Sequence, residues 1–142
     1  LHPIAPKRTL TLKLTSVPPI LADQKRIAQV LTNIISNAIK YTETEGAIVV
    51  STAKESTDSV KVTVHNMGVG IYHKYVGKVF DRFFRISNTE MPNHSGMGLG
   101  LYICAEIIKR HNGSIALEST STSEVIFSFT LPCKATTHCT PI

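Results

Sequence analysis

The chain has 142 residues and a mass of 15.5 kDa, room for one domain and a short tail. Its 42% hydrophobic and 18% charged residues exclude wholesale disorder, and a net charge of +5 without a dense Lys/Arg run disfavours a nucleic-acid-binding module. No apolar run approaches the roughly 18–20 residues of a membrane span and no secretory leader opens the chain, so any membrane contact is expected outside it.

Leu10, Leu12 and Leu14 alternate with Thr and Lys, the pattern of a short strand with one buried face. Pro18-Pro19 breaks the chain, and Asp23 is the expected N-cap of a helix running to about Tyr41. Ile27, Val30, Leu31, Ile34, Ile35 and Ala38 make one continuous apolar face on that helix. Gly46 ends the next turn. Two strands follow, 47–53 and a run with Val60, Val62 and Val64 pointing inward, joined as a hairpin by the polar stretch 54–59. An aromatic cluster, Phe80, Phe83 and Phe84 among Asp81, Arg82 and Arg85, precedes a polar segment 86–97 that reads as a mobile surface loop. A second helix begins near Gly98, buries Gly100, Ile103, Cys104, Ile107, Ile108 and His111, and stops at Asn112-Gly113. Segments 114–119 and 125–131 read as two closing strands, and 133–142 as a loose tail. Five strands and two long helices imply a two-layer α/β sandwich, a mixed sheet with its helices on one face. Cys104, Cys133 and Cys139 are odd in number and lack metal-ligand spacing, which points to a reducing, cytoplasmic setting.

Three stretches carry candidate chemistry. Asn33 and Asn37 sit mid-helix, where Asn is a poor choice, and form a polar stripe with Lys40, with Tyr41 at its edge. That stripe is either a solvated face or an edge for a metal–phosphate group, since amide oxygens suit hard cations and an ammonium meets phosphate oxygens. Gly68 and Gly70, before Ile71, allow a tight turn or a close backbone approach to a ligand. His73 stands where a dinucleotide fingerprint needs a third glycine. Gly96, Gly98 and Gly100, with Leu99 and Leu101, open the second helix; they make either a hinge or a nest of N–H groups for an anion.

Taken in order, these stretches resemble one family. Asn33 to Tyr41 looks like the N box of sensor histidine kinases, Asn66 to Ile71 like their first glycine box, Val79 to Arg85 like the F box, and Gly96 to Leu101 like the second glycine box. The resemblance covers about residues 10–132 and implies a catalytic, ATP-binding domain over 1–132 followed by the tail 133–142. The implied fold is the Bergerat-type sandwich shared with type II topoisomerases, Hsp90 and MutL. By the same resemblance Asn37 would coordinate Mg²⁺, with Asn33 beside it. Lys40 and Tyr41 would meet the phosphate and ribose region, and Gly68, Gly70 and Ile71 would shape the adenine pocket. Phe80 and Phe83 would anchor the base of the lid, Gly96 to Leu101 would meet the phosphates, and Arg82 or Arg85 would offset charge near the γ-phosphate. The cofactors implied are ATP and Mg²⁺. The partners implied are a histidine-containing dimerisation domain, which receives the phosphoryl group, and a response regulator receiver domain; no nucleic acid is expected. The related ATPases carry Glu where this chain has Asn33, and an amide cannot act as a general base, so hydrolysis is disfavoured.

Two positions depart from the family pattern. Asn66 replaces an Asp that accepts a hydrogen bond from the adenine amine, and Val125 stands where a Thr reaches the same edge. Losing the charged acceptor is expected to weaken adenine binding about tenfold. The alternative reading is a degenerate pseudokinase domain acting through protein contacts. None of the six histidines has an adjacent acid in the sequence, so none resembles the phosphoacceptor.

Overall fold

The computed structural model describes residues 9–41, 46–67, 77–84, 100–121 and 124–133. The expected mobile loop at 86–97 and the residues beyond 133 lie outside them. Strand β1 (Thr9–Leu14) leads into helix α1 (Gln24–Tyr41), then the hairpin β2 (Ala47–Ser56) and β3 (Ser59–Met67), helix α2 (Gly100–Arg110), and strands β4 (Ser114–Ser121) and β5 (Glu124–Pro132). The sheet order is β1-β2-β3-β5-β4. β1 runs parallel to β2 and every other pair is antiparallel, so the sheet is mixed.

Helix α1 starts where the sequence places it. Asp23 Oδ1 accepts hydrogen bonds from the backbone N–H groups of Lys25 (3.1 Å) and Arg26 (3.2 Å), which satisfies two orphan donors of the first turn. Val30, Ile34 and Ala38 are fully buried, with Ile27, Leu31 and Ile35 packed beside them. Helix α2 ends in a Schellman motif: Gly113 N–H bonds Ile108 O (2.9 Å) and Asn112 N–H bonds Lys109 O (3.0 Å). Asn112 (φ 60°) takes the left-handed position. Gly113 is required for a different reason, since a Cβ there would run into the carbonyl oxygen of Thr130.

The hairpin is tighter than its polar composition suggests. β2 continues to Ser56, through an irregularity between Lys54 and Ser56, and only two residues remain for the turn. Ser56 Oγ donates to Asp58 Oδ1 (2.7 Å) and lies 2.8 Å from Ser59 Oγ, so polar side chains close the turn. Strand tips in water lose nothing by being polar.

The core fills the gap between the helices and one face of the sheet. Ile48 and Val50, Val60 and Val64, Leu117, and Val125, Phe127, Phe129 and Leu131 supply the sheet side. Phe80 meets Phe127 edge to face at 6.1 Å, and Val79 is buried beside it. Two expectations change here. The leucines of β1 are exposed, at 53%, 58% and 63%, not half-buried as their alternation suggests. Leu10 pairs with Ile48 and Leu12 with Val50, so they share the core face; α1 packs over β3 and α2 over β4 and β5, leaving β1 at the rim. Phe83, expected with Phe80 as an anchor, is 55% exposed at φ 65°, while Phe84 packs on the core instead.

Among the described residues no helix is long and apolar enough to cross a membrane. Cys104 and Cys133 are buried free thiols.

Candidate functional site

Connectivity brings the candidate residues to one end of the molecule. Ile48 at the start of β2, Asn66 at the end of β3 and Val125 at the start of β5 are neighbours across the ladder. Only residues 42–46 separate α1 from β2, so the second half of α1 lies at that same end. Helix α2 runs antiparallel to α1: the Cys104 thiol points to Val30 O (3.8 Å), and four residues earlier Gly100 sits beside Asn33, where a Cβ would be 3.8 Å from Asn33 Cγ. The N-terminus of α2, with the positive end of its dipole, thus lies next to Asn33 of the asparagine stripe.

That stripe is not a fully solvated helix face. Asn33 and Asn37 are half-buried, and Asn33 lies beside the first residue of α2. Burial lifts the Cys104 thiol's pKa from about 9 to about 11, outweighing the Asn33 side-chain hydrogen bond, which pulls it down. Gly100 has room for a side chain in ordinary contact with Asn33, so sterics alone do not demand glycine there. Leu101 packs against the core in the first turn of α2.

Asn66 is the most unusual residue of the site. It is fully buried, and neither Oδ1 nor Nδ2 finds a hydrogen-bond partner among the described residues. An orphaned amide costs about 1–3 kcal/mol, so its presence in a core needs a reason. Val125, the second departure read from the sequence, is its direct partner across β3 and β5 and is also fully buried. Sequence reasoning singled out both residues. The resemblance already set both at one edge of the base; what it left out is that Ile48 completes the spot, because strand register leaves no local signal.

Other candidates are less engaged. Arg82 is exposed, its guanidinium 4.8 Å from the Phe83 ring centre. The backbone of Lys40 and Tyr41 closes α1; their side chains, with Gly68, Gly70, Ile71, Arg85, Gly96, Gly98 and Leu99, lie outside the described residues. His65 does find an acid in space, Nε2 standing 3.0 Å from Glu124 Oε2, although none adjoins it in sequence. The pair lies on the sheet face away from the helices, since His65 alternates with the core residues Val64 and Asn66, and Glu124 precedes the core residue Val125. A depression of about 410 Å³ at the opposite end, between Asp23 and His111, holds none of the candidate residues. There His111 Nε2 accepts from Asp23 N–H (3.0 Å) while Nδ1 donates to Ile107 O (2.8 Å), a neutral imidazole that ties the two helices together.

Residues 22–135 match the model of the histidine kinase-, DNA gyrase B- and HSP90-like ATPases. The chain belongs to that family. It is 40% identical over 116 residues to the adaptive-response sensory kinase SasA of Gloeothece citriformis, covering 82% of this chain and 29% of SasA. It is 41% identical over 113 residues to the sensor histidine kinase WalK of Bacillus subtilis, covering 79% of this chain and 18% of WalK. The catalytic domain of the histidine kinase ThkA superposes with a TM-score of 0.74 at 32% identity, covering 88% of this chain and 80% of that one. ThkA in complex with the response regulator protein TrrA matches at 0.71 and 29%, covering 90% of this chain and 35% of that one. The chain is therefore a catalytic, ATP-binding domain of the histidine kinase type, and it spans less than a third of the length of these curated relatives.

Proposed function

We propose that this domain takes Mg-ATP and transfers the γ-phosphoryl group to a histidine on a separate dimerisation domain, from which a response regulator receiver domain takes it in turn. One observation carries the reading. Asn66 keeps a buried amide with unmet hydrogen-bonding capacity at the sheet end where Asn33 meets the start of α2. A purine edge supplies the donor and acceptor that the protein withholds. ThkA's complex with TrrA supports the regulator as a partner. A cytoplasmic place accords with the need for ATP and with buried reduced thiols.

The roles follow the resemblance. Asn33 lines the phosphate path, and Asn37 one turn on offers its amide oxygen to the metal. Among the described residues no cluster of three His, Cys, Asp or Glu offers another metal site. A neutral amide suits Mg²⁺ only when phosphate oxygens and water complete its coordination. Held there, Mg²⁺ would supply charge neutralisation to the phosphates. Lys40 and Tyr41 serve the phosphates and ribose, Arg82 the γ-phosphate, and Gly68, Gly70 and Ile71 the base pocket. Gly96, Gly98, Leu99, Gly100 and Leu101 present N–H groups to phosphate; Phe80 holds the adjoining segment on Phe127. With an amide at position 33, no carboxylate there activates water, which favours transfer over hydrolysis. A pseudokinase acting by contact alone would bear the cost of the Asn66 amide without a ligand to satisfy it.

The test supplies a histidine-bearing dimerisation domain in trans with γ-labelled ATP and Mg²⁺. Label on the histidine is the expected result, and Asn37→Ala should abolish both the label and Mg-dependent nucleotide binding. Unchanged nucleotide affinity in Asn37→Ala would refute its metal role.

A further inference from the structure

The surroundings of Asn66 say more than that a ligand is missing. On its face of the sheet its neighbours are Ile48 and Val125 across the ladder and Val64 two residues back, exposed by 2%, 0% and 1%. All three are apolar. No described side chain donates to Oδ1 or accepts from Nδ2, so among the described residues nothing decides which end of the amide is oxygen and which is nitrogen. Turning the amide over about its terminal torsion exchanges donor and acceptor without breaking a protein hydrogen bond. A carboxylate at this position presents acceptors at both ends in either orientation.

Resting on the nucleotide reading above, we propose that this domain discriminates poorly at position 6 of the purine ring. It takes 6-oxo purine nucleotides (hypoxanthine, and guanine where its 2-amino group fits) as well as adenine nucleotides. In one orientation Oδ1 accepts from the 6-amino group and Nδ2 donates to N1. Turned over, Nδ2 donates to the 6-oxo oxygen and Oδ1 accepts from N1–H. Each base satisfies both amide atoms, and each leaves none of its own position-1 and position-6 groups unpaired. A carboxylate oxygen set against position 6 accepts from the 6-amino group but meets the 6-oxo oxygen acceptor against acceptor, a repulsive element that Asn66 removes by turning over.

Calorimetric titration of the domain with the Mg²⁺ complexes of ADP, IDP, GDP and the diphosphate of unsubstituted purine riboside tests this. IDP differs from ADP in the groups at positions 6 and 1 alone, so it is the deciding ligand. IDP should bind within about tenfold of ADP, and the unsubstituted purine more weakly than both, because it leaves one amide atom orphaned. Asn66→Asp should tighten ADP about tenfold and weaken IDP, widening their ratio by about thirtyfold or more. ADP binding with IDP more than about a hundredfold weaker would overturn the proposal and leave the nucleotide reading standing. An unchanged ratio in Asn66→Asp would overturn it too. Absence of binding by all four nucleotides would overturn the nucleotide reading and this proposal with it. Should the aspartate variant fail to fold, the four ligands on the unaltered domain still decide the matter.

Discussion

Strands β1 and β5 look alike in sequence and end in opposite environments. Leu10, Leu12 and Leu14 alternate as cleanly as Val125, Phe127, Phe129 and Leu131, yet the first set is more than half exposed and the second is 0–3% exposed. The two strands lie in one sheet and offer side chains to one face. What differs is the cover, because α1 lies over β3 and α2 over β4 and β5. Alternation therefore identifies which residues share a face; a second layer decides whether that face is dry.

The largest expected effect comes from opening the covered half. Phe127→Ala should cost about 3–5 kcal/mol in urea unfolding, because it leaves a cavity between Phe80 and the helices. Cys104 probes how dry that half is. Its thiolate form is disfavoured in the fold, so its pKa rises from about 9 to about 11. The folded state then holds its proton where the unfolded state releases it. Its stabilising contribution is complete below pH 9 and is lost as pH climbs from 9 to 11, by up to about 3 kcal/mol. Comparing the alkaline unfolding of Cys104→Ala with that of the unaltered domain checks this; parallel curves would mean that water reaches the thiol.

Asn66 is the polar exception in the covered half. Asn66→Leu should stabilise the nucleotide-free domain by about 1–3 kcal/mol in thermal or urea unfolding while abolishing nucleotide binding. A destabilised variant would show that the amide is satisfied in solution. Asp23 tests how firmly the cover is seated. Asp23→Ala removes the acceptor of two N–H groups and should cost about 1 kcal/mol by the same measurement. The smallest effect belongs to the rim: Leu12→Ala should change stability by no more than about 0.5 kcal/mol. A loss approaching that of Phe127→Ala would mean that something covers β1 in solution.

The class of protein was legible in the sequence. A pair of asparagines mid-helix, glycines after a strand and glycines ahead of a helix each leave a plain reading open. Their order, with the aromatic cluster between them, is what resembles a histidine kinase catalytic domain, and the family match over residues 22–135 agrees. Both helices, the Asp23 cap and the Asn112-Gly113 stop were local as well, set by hydrogen bonds spanning no more than five residues. Burial was another matter. Whether Leu12 or Phe127 is dry, whether Asn33 faces water or α2, and that Asn66 and Val125 stand opposite each other all depend on pairings between residues far apart in sequence. Local pattern carries the period of a strand or helix and the chemistry of its turns. Register and cover arise only when the chain closes on itself, and those two decided that an orphaned amide would sit among apolar walls.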